Sequence, residues 1–143
     1  MKREELKERV CSAIDARRDV IIAAAEDIRT HPELGYKEFR TAGIVSDHFS
    51  RLGIDHESGL AITGVKGRLA GRERALTVAY MGELDSIIVP DHPDADPETG
   101  AAHACGHNAQ IANLLGVAYG LVESGIMSEL DGNVALMAVP AEE

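Results

Sequence analysis

Two apolar runs of strand length, ALTVAYM at 75–81 and NVALMAV at 133–139, flank a stretch whose apolar residues fall at Ile111, Leu114, Leu115, Ala118, Leu121 and Val122. The outer runs are nearly continuous, the pattern of strands in a sheet covered on both faces. The spacing of the middle stretch is helical and predicts a buried helix over 107–124. A chain with this order has few folds open to it. It must lay the helix across a sheet that holds both strands.

Upstream, Val10, Ile14, Ile21, Ala25 and Ile28 predict a helix over 3–30, ended by the THPELG stretch, where Pro32 disfavours helix at His31 and Gly35 permits a sharp turn. A second helix is expected over 37–52, with Phe39, Ile44, Val45, Phe49 and Leu52 on one side and Gly53 as its stop. Short extended pieces follow at 54–58 and 61–70, and 86–102 reads as a loop rich in Pro, Asp and Gly. The expected architecture is α/β, a three-layer sandwich whose mixed, mostly parallel sheet carries helices on both faces.

The 143 residues suffice for one domain with a real core, which only 3% aromatic content leaves to Ala, Val, Ile and Leu. A net charge of −10 disfavours nucleic acid and anionic membrane as partners, and no apolar run has the roughly 18 residues of a membrane helix. The charged start, MKREELKERV, has no signal-peptide hydrophobic region, so a cytoplasmic location is expected. Cys11 and Cys105 are far apart and suggest no disulfide framework.

Ligands of open α/β sheets gather beyond the carboxyl ends of the strands. Glu83 and Asp85 follow one expected strand, Glu142 and Glu143 the other, and Cys105 and His107 stand at the mouth of the helix between them. Thiolate and imidazole suit zinc, and added carboxylates widen the choice to manganese. Of two adjacent glutamates, one can bind a metal while the other acts as base toward the attacking water. A thiol nucleophile is a second possibility, because a helix N-terminus lowers a cysteine pKa and His103 or His107 could act as base. That reading leaves the glutamate pair without a role. A metal-binding fragment without catalysis is a third possibility.

HACGHNAQIANLLGVA at 103–118 resembles the H-A-C-G-H signature of the dinuclear metal amidohydrolases in the aminoacylase/carboxypeptidase metallopeptidase family. That branch includes hippurate, auxin-conjugate and aminobenzoyl-glutamate hydrolases. HPELGYKEFRTAG at 31–43, MGELDSI at 81–87 and VPAEE at 139–143 resemble three further family motifs, in the family's order. Met81, Glu83 and Asn108 depart from it, standing where Arg, Asp and Asp are usual.

The resemblance implies roles. Cys105 and His107 would be metal ligands, Glu143 the carboxylate ligand, Glu142 the general base and Asp85 a supporting residue of the catalytic machinery. It implies two divalent ions, Zn or Mn, per full-length chain, and hydrolysis of an amide bond in a small N-acyl amino acid or peptide. Family members are more than twice this length. The chain therefore reads as the N-terminal part of a catalytic domain. The remaining histidine ligands, and an inserted domain that serves dimerisation and substrate closure, would lie beyond it, with the whole protein a homo-oligomer. Taken alone, the piece is expected to be inactive.

Overall fold

The computed structural model describes residues 3–73 and 76–143. Its helices are α1 (Arg3–Ala16), α2 (Arg18–Thr30), α3 (Phe39–Arg51) and α4 (His107–Glu123), and its strands are β1 (Asp55–Leu60), β2 (Gly64–Leu69), β3 (Thr77–Glu83), β4 (Ile87–Ile88), β5 (Ala101–Ala102) and β6 (Asn133–Val139). Four strands form the main sheet in the order β1-β2-β6-β3, and β4 pairs with β5 as a small separate hairpin. The expected strand at 75–81 thus appears as β3, with Ala75 outside the described residues.

The α/β class is as expected, but the sheet is not mostly parallel. β1–β2 and β2–β6 are antiparallel, and β3–β6 is the parallel pair of the main sheet. The reason is connectivity. A tight turn joins β1 to β2, whereas β3 and β6 are joined through α4, the crossover a parallel pair requires.

The helices that touch the sheet cover one face. Gly67 of β2 and Gly82 of β3 align with Leu136 and Ala138 of β6, two residues apart and hence on the same side. A Cβ at Gly67 would meet Phe49 of α3, and one at Gly82 would meet Gln110 and Ile111 of α4. Both α1 and α2 lie against α4. The described residues therefore build helical layers on one side, not on both. Val78 and Met81 of β3 point to opposite sides and are 57% and 60% exposed, so the strand that read as doubly covered is an open edge here.

The first expected helix is broken in two at Arg17, whose N–H bonds Ile14 O at 2.9 Å and whose guanidinium reaches Glu123 at 2.8 Å. The break lets both segments turn onto α4. Helix α3 buries Thr41, Ala42, Val45, His48 and Phe49, while Phe39, expected on the apolar side, is 64% exposed at the helix start. The core gathers Ile28, Val45, Phe49, Val65, Leu84, Ile111, Leu114, Leu115 and Leu136 between the helices and the sheet. No described helix is long and apolar enough to cross a membrane.

Candidate metal centre

Because β3 and β6 run parallel, with Glu83 in register with Val139, both strands release their chains at the same edge of the sheet. Helix α4 starts there, after Gly106 at φ +97, a left-handed backbone that glycine adopts without strain. The expected convergence of separate strand ends is what the structure contains.

His107 is the hub. Its ring is 1% exposed, and Nδ1 lies 2.8 Å from the carbonyl oxygen of Asp85 and 3.2 Å from Asp85 Oδ1. Donation from Nδ1–H to that carbonyl fixes the tautomer and leaves the Nε2 lone pair facing the crevice. Around Nε2 stand Glu83 Oε2 at 2.8 Å, Glu142 Oε2 at 3.6 Å and Glu143 Oε1 at 3.7 Å, yet Nε2 makes no hydrogen bond. A buried imidazole nitrogen that faces carboxylates without a hydrogen bond is costly unless a proton or a metal cation stands between them.

Two sets of donor atoms lie within 4.8 Å of one another: Cys105, His107 and Glu143, and Glu83, His107 and Glu142. Two ligands of a tetrahedral zinc stand about 3.4 Å apart, from bond lengths near 2.0–2.2 Å. The separations of Glu142 and Glu143 from Nε2 fit that figure, and the 2.8 Å of Glu83 is short for it. Both sets use the single lone pair of Nε2, so they describe one site with a choice of donors. The donor set fits a borderline-soft divalent ion.

Adjacent residues of a regular strand point to opposite faces, so Glu142 and Glu143 cannot share a target while the strand continues. It does not continue. β6 ends at Val139, and Ala141 takes φ +51. This left-handed step turns both carboxylates toward His107. The turn is held by Ala141 N–H donating to Glu38 Oε1 at 2.9 Å and Glu143 N–H donating to Asp85 Oδ2 at 2.9 Å. Asp85 itself is fully buried behind His107.

Cys105 is exposed and its thiol pKa is raised, chiefly by its hydrogen bond to Glu143, then by burial and the nearby charges of Glu143, Glu142 and Glu83. Three carboxylates outweigh the helix N-terminus that was expected to lower it. The raised value runs against the lowered pKa on which the thiol-nucleophile reading drew, whereas a bound cation would favour the thiolate. His103 is held down to about 4 by burial and then by His107, against Asp85 and Glu33, and neither ring nitrogen has a hydrogen-bond partner.

Sequence reasoning left Glu83 without a role and did not single out Gln110 or Glu38. Gln110 lies one turn after His107 on α4; its Nε2 donates to Glu83 Oε2 at 2.7 Å and its Oε1 accepts from Glu83 N–H at 3.1 Å. The spacing of three from His107 was the available signal. Glu38 falls inside the HPELGYKEFRTAG motif, but no role followed from it there, because its partner Ala141 lies 103 residues away.

Thermostable carboxypeptidase 1 of Saccharolobus solfataricus is 34% identical over 97% of this chain and 36% of its own length. The Arabidopsis thaliana protein named IAA-amino acid hydrolase ILR1-like 5 is 34% identical over 87% of this chain and 29% of its own length. The crystal structure of the Bacillus subtilis YXEP protein, described as a dinuclear metal binding peptidase from the M20 family, superposes with a TM-score of 0.78 at 28% identity, over 90% of this chain and 36% of that one. The homologues of this chain are thus carboxypeptidases and amidohydrolases, and its structural neighbours are M20 metal peptidases. No family model matches it. The chain spans about a third of the length of the curated relatives it matches.

Proposed function

We propose that this chain is the N-terminal part of the catalytic domain of a metal-dependent amidohydrolase that cleaves an amide bond in small N-acyl amino acids or peptides. The observation that carries the reading is the buried Nε2 of His107, which makes no hydrogen bond and lies within 3.7 Å of three carboxylates from two parallel strand ends. Relatives named carboxypeptidase and amino acid hydrolase support the substrate class.

In this proposal Cys105, His107 and Glu143 hold a divalent ion, Zn or Mn by the chemistry of thiolate, imidazole and carboxylate together. When bound, it would supply Lewis-acid polarisation of the amide carbonyl and make water acidic enough to be deprotonated near neutral pH. Glu142, half exposed at the rim, takes the proton of the attacking water and delivers it to the leaving nitrogen. Asp85 keeps Nδ1 of His107 protonated and the ring fixed. Glu83, clamped by Gln110, adds negative charge beside the ion. A second ion takes ligands from outside these 143 residues, since Nε2 serves only one. The open β3 edge fits further strands of the same domain. Homo-oligomeric assembly and a cytoplasmic location belong to the same proposal and rest on the family resemblance.

The test uses the full-length protein. A chelator abolishes hydrolysis of an N-acyl amino acid panel, and added zinc or manganese restores it. Elemental analysis finds close to two divalent ions per chain, fewer in Cys105→Ala. Activity that survives thorough chelation and is lost on alkylation of Cys105 overturns the proposal.

A further inference from the structure

The HPELGYKE stretch at 31–38 carries no ligand and no base, yet it lies behind the site and binds both strand ends. The carbonyl of Glu33 accepts from Ser86 N and Ser86 Oγ, each at 2.8 Å, just after Asp85. Gly35 lies so close to the other strand end that a Cβ there would be 3.0 Å from Ala141 Cβ and 3.9 Å from Asp85 Oδ2. Glu38 completes the strap. Its side chain is fully buried, with Oε1 accepting from Ala141 N–H at 2.9 Å and Oε2 from Thr63 Oγ1 at 2.7 Å.

Glu38 stands at the N-cap of α3, where a side-chain acceptor ordinarily satisfies the first N–H groups of the helix. It makes no such bond. Glu33 does that work, accepting from Arg40 N at 2.9 Å and from Thr41 N at 2.7 Å. The Glu38 carboxylate is thus free of the helix and committed to the N–H of a residue at φ +51, an uncommon conformation for alanine that the surroundings must hold. A buried carboxylate is a costly way to fill space. It is an effective way to pin one peptide N–H. We propose that Glu38 is a positioning residue that fixes the left-handed turn at Ala141 and so aims Glu142 and Glu143 together at the site of His107. The inference rests on the metal-hydrolase reading for its consequence in catalysis, but the turn itself is observable without metal.

The experiment compares Glu38→Met, Glu38→Gln and Gly35→Ala in the full-length protein by hydrogen exchange, titration with cobalt(II) alone and steady-state kinetics. Glu38→Met removes the acceptor at similar volume. Amides 141 and 143 then exchange faster while those of α4 stay protected. Cobalt affinity and kcat each fall about 10–100-fold, the usual effect of losing an outer-shell partner, with KM little changed. Glu38→Gln restores most of each, because its amide oxygen accepts from Ala141 N–H and its NH2 donates to Thr63 Oγ1. Gly35→Ala presses on the same turn at Ala141, 3.9 Å from Asp85 Oδ2 and leaving the Glu38 side chain in place, and carries the test if Glu38→Met does not fold. Unchanged exchange at 141 and 143 with unchanged kcat, or faster exchange spread evenly over the whole fold, overturns the inference. Wild-type protein that binds no cobalt refutes the metal-hydrolase reading instead, and the exchange data still decide the role of Glu38.

Discussion

Replacing Glu142 and Glu143 one at a time by Gln separates proton transfer from metal binding at two adjacent positions. Glu142 is 51% exposed in its side chain, with Oε2 3.6 Å from His107 Nε2. The amide is nearly isosteric, so folding stability should stay within about 0.5 kcal/mol, as for surface substitutions in general. A lost general base typically costs 10²–10⁴ in rate, which at 1.36 kcal/mol per tenfold is a barrier increase of about 3–5 kcal/mol. Glu143 differs. Its carboxylate is 29% exposed, is the first cause of the raised Cys105 thiol pKa and belongs to the donor set with Cys105 and His107. Glu143→Gln replaces a charged donor with a neutral one, while its main-chain N–H stays anchored on Asp85. In the full-length protein, Glu142→Gln should keep its metal content, KM and thermal midpoint and lose kcat by at least two orders of magnitude. Glu143→Gln should lose metal on dialysis and regain part of its activity in excess metal. Elemental analysis alongside kinetics reads both. Exchanged phenotypes reverse the roles, and parental turnover in Glu142→Gln refutes the mechanism.

His48 gives a pH prediction: it is buried, its Nδ1 lies 2.8 Å from Tyr119 Oη, and its pKa is lowered by burial and then by Arg51, against Asp47. A folded pKa below the unfolded value favours the neutral ring, so its stability contribution is full above about 6.5 and is lost as pH falls through the folded pKa. Urea unfolding of wild type against His48→Gln should therefore converge with acidification below that pH, and parallel curves would sink the claim. In the core, a Cβ at Gly67 would stand 2.9 Å from both Ile54 Cγ2 and Phe49 Cε2. Gly67→Ala should cost about 1–3 kcal/mol through overpacking, and Phe49→Leu in the same chain should relieve part of it; strictly additive effects in a double-mutant cycle would show that the contact does not matter. The 143-residue chain by itself should hydrolyse none of the amides that the full-length protein cleaves, and turnover by the isolated chain would show that no further ligands are needed.

The apolar periodicities placed α4 and β6 within a residue of where they lie, because a buried helix and a buried strand leave their period in the side chains that face the core. The paired chemistry at 83–85, 105–107 and 142–143 was legible for a related reason. Strand ends and helix starts are where a sheet exposes functional groups, and those positions follow from the element boundaries. Strand direction was not legible: near-continuous apolar runs look alike in parallel and antiparallel sheets, and the short β1–β2 connection made the pairing mostly antiparallel. Coverage was not legible either, since Val78 and Met81 have the composition of a doubly buried strand, while their exposure depends on what packs there. The aim of the glutamate pair lay furthest from the sequence. Alternation along a strand forbids Glu142 and Glu143 a common target; the left-handed Ala141 permits it, and that conformation depends on Glu38, 103 residues away in sequence. Local sequence sets which groups are present and which element carries them. Where those groups point is set by contacts between segments distant in the chain, which only the folded chain brings together.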